Sequence, residues 1–277
     1  MDHLRAREGE GHQGGVSPAV ADSLQYLRSE AARASIASDP YWPKWHSPWW
    51  HVLALHEAGV TPPREAVVML AEGASRHYLT LFPRAPEALP AGKSLDTDVM
   101  CFCALGSLLQ VTHGIATIPW ADDFLRRYQL PDGGWNCEPH DHVSSVVSTV
   151  PVLEYLLLRP ELKPMLDRGM AYLLERKLFR SKRTGRVIDE AWLTPTFPRF
   201  YEYDVLRGLE LVARWDATKA PAEALALEHQ GTRCWPLDAR ASGAHGAETT
   251  FPLLDALAAE GPRMLSRRRA EVRSALG

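Results

Sequence analysis

The chain has no long hydrophobic run. No stretch approaches the roughly 18 apolar residues that a helix needs to cross a bilayer, which excludes a transmembrane helix. The N-terminus lacks the apolar core of a secretory signal. Basic charge is not in excess: 31 Lys and Arg stand against 34 Asp and Glu, a net charge of -3. A broad basic surface for nucleic acid is therefore not expected, and the Arg-rich end, 263–273, reads as a solvated last helix. Cysteine is scarce, four in 277 residues, too few for a disulfide framework, so a cytoplasmic, reduced protein is expected. Alternating strand patterns are nearly absent; Arg186-Val-Ile188 is too short to build a sheet on. There is no G-x-S-x-G, no Walker loop, no Rossmann glycines and no H-E-x-x-H.

What is present is a repeat. Leu53, Leu105, Leu153, Leu206 and Leu254 recur about every fifty residues. Three residues before them stand Trp50, Phe102, Val150, Tyr203 and Phe251; three residues after the last four stand Leu108, Leu156, Leu209 and Leu257, with His56 in the first copy. The spacing puts these residues on one face of a helix. Each recurring helix follows another helical segment: 24–37, 65–81, 120–129, 164–178 and 222–229. Ser47-Pro48 has the look of an N-cap followed by Pro in the first turn. The unit is thus a helix–loop–helix hairpin, and a fixed period of this size marks a repeat architecture. The predicted fold is all-α, five hairpins arranged as an α/α toroid or an open horseshoe. Residues 1–17, polar and Gly-rich, are expected to be a disordered leader, and 18–277 a single domain.

The loop before the third recurring helix reads Gln129-Leu-Pro-Asp-Gly-Gly-Trp135. Gln129 is placed to bond backbone groups at the end of the outer helix, Gly133 and Gly134 to allow the turn, and Trp135 to plug the gap between neighbouring hairpins. A worn copy, Gln230-Gly-Thr-Arg-Cys-Trp235, occurs in the fifth unit. This Q-x3-G-x-W pattern resembles that of the squalene/oxidosqualene cyclase and protein prenyltransferase superfamily, over roughly residues 20–262. The resemblance implies an α/α toroid whose inner helices surround a central cavity, and an enzyme acting on an isoprenoid or similar hydrophobic substrate.

Carried onto this chain, the cavity mouth would be lined by segments 46–51, 96–103, 137–149, 199–204 and 245–250. In the first, Trp49 and Trp50 are candidates for an aromatic wall able to stabilise a cation through the ring quadrupole, although neighbours on a helix point apart and at most one would face the cavity. Leu95-Asp-Thr-Asp-Val99 supplies part of the cyclases' D-x-D-D motif, which makes Asp98 a substrate-binding candidate. At the fourth recurring helix, Arg199, Tyr201 and Tyr203 are candidate substrate-binding groups, Glu202 and Asp204 a candidate acid and base, and Arg199 with Arg207 a candidate anion clamp. His245, three residues before Glu248, is a further acid/base candidate.

Superfamily members that transfer prenyl groups hold zinc through Asp, Cys and His. Here Gly134 and Glu202 stand at the Cys and His positions, so a zinc site would be built differently, from Cys137, His140 and His142, with Asp132 or Glu202 completing it. Cys101 and Cys103, two apart on an inner helix, would not face one another and are read as small buried hydrophobes. His56 is expected to pack inward. The expected function is that of a prenyltransferase or terpene-cyclase type of transferase whose ligand is a hydrophobic small molecule or prenyl group. The alternative is a non-catalytic helical-repeat protein that binds a peptide or partner protein with the same mouth. Fold likeness alone does not fix the chemistry.

Overall fold

The computed structural model describes residues 17–83, 89–234 and 252–277. Among these the chain is helical and has no strand, only isolated bridges such as Trp135 with Ser145. The helices are α1 (Pro18–Tyr26), α2 (Glu30–Ser38), α3 (Pro48–Glu57), α4 (Arg64–His77), α5 (Leu95–Asp98), α6 (Phe102–Thr112), α7 (Ala121–Tyr128), α8 (Val146–Leu156), α9 (Lys163–Leu174), α10 (Val205–Asp216), α11 (Ala222–Leu225) and α12 (Pro252–Leu276). None is long and apolar enough to cross a membrane. The expected leader lies almost wholly in residues 1–16, outside the described residues, and His245, Glu248 and Phe251 also lie outside them.

The recurring leucines fall on α3, α6, α8, α10 and α12, and each is at most 4% exposed. That is the period read directly as burial: an apolar side chain at the same phase of each helix is withdrawn from water, roughly 1.5–3 kcal/mol for each. Contacts between these five helices run in a cycle. α3 meets α6, α6 meets α8, α8 meets α10, α10 meets α12, and α12 returns to α3. The partner helices sit against them: α2 and α4 on α3, α4 also on α6, α9 on α8 and α11 on α10.

Local chemistry sets where the helices begin. Ser17, Ser29 and Asp204 accept from backbone N–H groups in the first turns of α1, α2 and α10. Ser47 stands at the N-cap position of α3 but does not cap it; its hydroxyl donates instead to the Tyr41 carbonyl at 2.8 Å. The segment read as one helix over 24–37 is broken between α1 and α2, where Ser29 starts a new helix.

The tightest packing is that of α6 on α8. A Cβ on Gly106 would stand 2.5 Å from the Pro151 carbonyl carbon and the Val152 nitrogen, which are backbone atoms that cannot rotate away. Gly106→Ala is therefore expected to push the two helices apart and destabilise the protein by about 1–3 kcal/mol, despite the better helix propensity of Ala. Chemical denaturation would measure it, and an unchanged or raised midpoint would contradict this packing.

The Q-x3-G-x-W loop joins neighbouring hairpins. The Gln129 side-chain amide donates to the Gly133 carbonyl at 2.6 Å and to the Met165 carbonyl of the next hairpin at 2.9 Å. Gly133 has φ +102°, and a Cβ there would meet the Arg168 carbonyl oxygen at 2.3 Å. Trp135 is fully buried; its indole N–H donates to the Leu125 carbonyl of α7 at 2.9 Å, and its backbone N–H to Thr149 Oγ1 of α8 at 3.0 Å.

Candidate functional site

Two cavities carry candidate chemistry, and they differ in kind. The first, about 170 Å³, takes lining residues from all five recurring helices: His56 and Glu57, Gln110, Glu154, Arg207 and Glu210, and Arg268. An aromatic lining was expected for the shared cavity, whereas these residues are mostly charged. Their charges are matched in pairs. Arg207 and Glu154 form two hydrogen bonds, 2.9 and 2.6 Å, with both residues buried. Arg199 grips Glu210 with two bonds of 2.7 Å. Arg268 pairs with Glu57 at 3.2 Å. Burial alone would raise the carboxyls of Glu154 and Glu57, but the guanidiniums of Arg207 and Arg268 hold both below their ordinary values. Arg207, read as half of an anion clamp, is thus already occupied by Glu154. His56 is exposed rather than packed inward.

The second cavity, about 290 Å³, is the aromatic one. Tyr41, Trp42, Tyr78 and Phe82 form much of its wall, Val99, Met100 and Ala104 add apolar surface, and Cys101 and Cys137 also line it. Its lining comes from the segment before α3, the end of α4 and the segment after it, α5 with the start of α6, and the loop before α8. Trp49 and Trp50 are fully buried and form a layer behind the wall. Their rings stand 5.2 and 5.0 Å from that of Tyr41, and the Trp50 indole N–H donates to the Tyr41 carbonyl at 3.1 Å.

At this cavity the thiols of Cys101, Cys103 and Cys137 converge. The sulfurs of Cys101 and Cys103 are 3.2 Å apart, those of Cys103 and Cys137 are 3.6 Å apart, and all three lie within 4.8 Å of one another. The expectation that Cys101 and Cys103 face apart is corrected here. It assumed both to be helical, but α6 begins at Phe102, and Cys101 (φ -71°, ψ 153°) is extended and lies outside the helix. Cys137 arrives from the turn after Trp135, where its backbone N–H donates to Ser148 Oγ of α8 at 3.1 Å. The Cys137 thiol is held well below its ordinary value by its hydrogen bonds with Cys101 and Cys103, with Ser148 adding to the effect. Hydrogen bonds with Cys101 and Cys137, then burial, push Cys103 up.

Lys44 stands 5.0 Å from the Trp45 ring centre and 5.1 Å from that of Tyr201, within electrostatic reach of Cys101, Cys103 and Glu202. Burial lowers the Lys44 ammonium, while the charges of Cys101, Cys103 and Glu202 act in the opposite direction. Burial raises the Glu202 carboxyl, opposed by Arg233, Arg207 and Lys44. Tyr201 belongs to the same neighbourhood: burial, then the charges of Cys103 and Glu202, raise its phenol.

The other expected site residues are placed elsewhere. His140 and His142 are exposed and contribute no atom to the cysteine cluster. Asp204 is fully buried as the cap of α10, accepting from the backbone N–H groups of Arg207 at 2.9 Å and Thr196 at 3.0 Å. Tyr203 is buried with its hydroxyl donating to the Leu178 carbonyl at 2.9 Å. Asp98 accepts from Lys93 at 2.8 Å and from the Ser94 N–H at 3.0 Å, and these bonds lower its carboxyl to about 2. Of the expected residues, the structure brings together Cys137, Tyr201 and Glu202. It adds Cys101, Cys103 and Lys44, and the signal for the first two was a Cys-x-Cys pair at the start of a recurring helix.

No protein-family model matches the chain, and neither a curated protein nor a solved structure does.

Proposed function

We propose that this chain is an enzyme of the prenyltransferase or terpene-cyclase type, built as an α/α toroid, that binds an isoprenoid or similar hydrophobic molecule in the aromatic cavity beside Cys101 and Cys137. The observation that carries the reading is that cavity. It has a volume of about 290 Å³, aromatic rings in its wall and reactive side chains beside it. Apolar burial would supply most of the binding free energy, and a few polar groups would set orientation. The cycle of contacts among the recurring helices supports the toroid. Lys44 and Tyr201, each within reach of the thiols, and Glu202, within reach of both, are groups able to hold or move a proton.

Farnesol binding tests the reading. Ala104 is 3% exposed and lines the cavity, so Ala104→Trp should fill it and weaken farnesol at least about 10-fold, as followed by native mass spectrometry. Equal binding by the two proteins would reject the cavity. Failure of the wild type to bind farnesol or farnesyl diphosphate would reject the isoprenoid reading and favour a peptide- or protein-binding role.

Glu202 adds a pH dependence. Its carboxyl is raised in the folded state, so the folded protein binds this proton more tightly than the unfolded chain. Its contribution to stability is therefore largest at low pH and falls as pH rises from the ordinary carboxylate value through the raised one. Glu202→Gln should flatten that part of a plot of Tm against pH. Superimposable profiles for the two proteins would show that Glu202 is not raised.

A further inference from the structure

We propose that Cys101, Cys103 and Cys137 form a three-thiolate zinc site whose fourth coordination position opens into the aromatic cavity. Three sulfurs about 2.3 Å from a tetrahedral zinc ion stand about 3.8 Å from one another. Two observed separations, 3.2 and 3.6 Å, fall a little short of that value, and the third pair lies within 4.8 Å. A small adjustment of rotamers is enough to receive the ion.

The donor set favours a soft or borderline cation. Thiolates select zinc over magnesium or calcium, which take oxygen ligands. The surroundings suit the charge. Zinc with three thiolates carries a net charge of -1, from Zn²⁺ plus three thiols giving the complex and three protons. The Lys44 ammonium lies close enough to interact with the sulfurs of Cys101 and Cys103. Cys101 and Cys103 stand at the N-terminal end of α6, where the helix dipole favours negative charge, and the bond from the Cys137 backbone N–H to Ser148 Oγ, 3.1 Å, fixes the loop that carries the third thiol.

Three protein ligands with one open position is the composition of a catalytic zinc site, whereas a structural site closes with four. Cys101 and Cys137 also line the cavity, so the open position faces it and would be taken by water in the absence of a ligand. The site differs from the one read in the sequence, since it holds Cys137 but neither His140 nor His142. It does not depend on the isoprenoid reading. A protein that holds zinc but no farnesol would retain the metal site and lose only the substrate class.

The experiment is metal analysis of the full chain, purified without chelator, followed by replacement of zinc with cobalt(II). One zinc per chain is expected, together with sulfur-to-cobalt charge-transfer absorption of three thiolates and the intense visible bands of a four-coordinate ion. Cys101→Ser, Cys103→Ser and Cys137→Ser should each weaken zinc by more than about 10-fold, whereas Cys234→Ser, His140→Ala and His142→Ala should not. Loss of zinc in His140→Ala or His142→Ala would overturn the three-thiolate assignment. So would a wild-type protein that stays metal-free in added zinc, or one whose mass shows a disulfide among the three thiols. If a serine variant fails to fold, the cobalt spectrum of the wild type still decides by counting its thiolates.

Discussion

Arg207→Met is expected to destabilise the protein by about 3–5 kcal/mol, because it leaves the Glu154 carboxylate buried without its partner. Both side chains are buried, and the guanidinium makes two hydrogen bonds to that carboxylate. The loss should depend on pH. Glu154 is held below its ordinary value in the folded wild type, so its contribution is present above the unfolded pKa, about 4.3, and disappears as pH falls through the folded one. Without Arg207, burial dominates and the carboxyl rises. The variant should then lose stability towards neutral pH, and the gap from wild type should narrow in acid. The double variant Arg207→Met, Glu154→Met should recover most of the loss, since a packed apolar pair replaces two desolvated charges. Urea unfolding of the wild type, Arg207→Met, Glu154→Met and the double variant across pH measures the coupling. A single variant as stable as the wild type would mean that the pair is not buried as described.

Trp135→Ala should cost about 3–5 kcal/mol by emptying the space between neighbouring hairpins. The side chain is fully buried, and its loss would also leave the Leu125 carbonyl without the 2.9 Å bond from the indole. In a chain of this size each kcal/mol moves Tm by about 2–4 °C. An unchanged Tm would remove Trp135 as a plug. A milder result with Trp135→Phe, which keeps most of the volume but not the N–H, would apportion the effect between packing and hydrogen bonding.

The two sites were legible to different degrees. Cys137 is legible as a candidate ligand in the loop before the third recurring helix, and Tyr201 and Glu202 as candidates at the start of the fourth; in the structure Tyr201 lies within electrostatic reach of Cys103, Cys137 and Glu202. Cys101 and Cys103 were set aside on a helical argument that fails by one residue, since Cys101 precedes the first turn of α6. Asp204 and Tyr203 carry residue types suited to chemistry. The structure occupies them in capping α10 and in bonding the Leu178 carbonyl, roles that no spacing distinguishes from catalysis. The aromatic run from Tyr41 to Trp50 signalled a wall. Tyr41 and Trp42 reach the cavity surface, while Trp49 and Trp50 are buried.

What the sequence determined by itself is the all-helical class and the position of the recurring helices. Both follow from local periodicity, because an apolar residue every three or four positions must be withdrawn from water whatever its distant neighbours are. The long-range pairings were decided only in three dimensions. Glu154 and Arg207 are 53 residues apart, Cys103 and Cys137 are 34 apart, and Arg268 and Glu57 are 211 apart. Along the chain each is a charge or a thiol on one helix. Whether a charge is solvated, neutralised or placed in a cavity depends on which side chain the packing of another hairpin brings beside it.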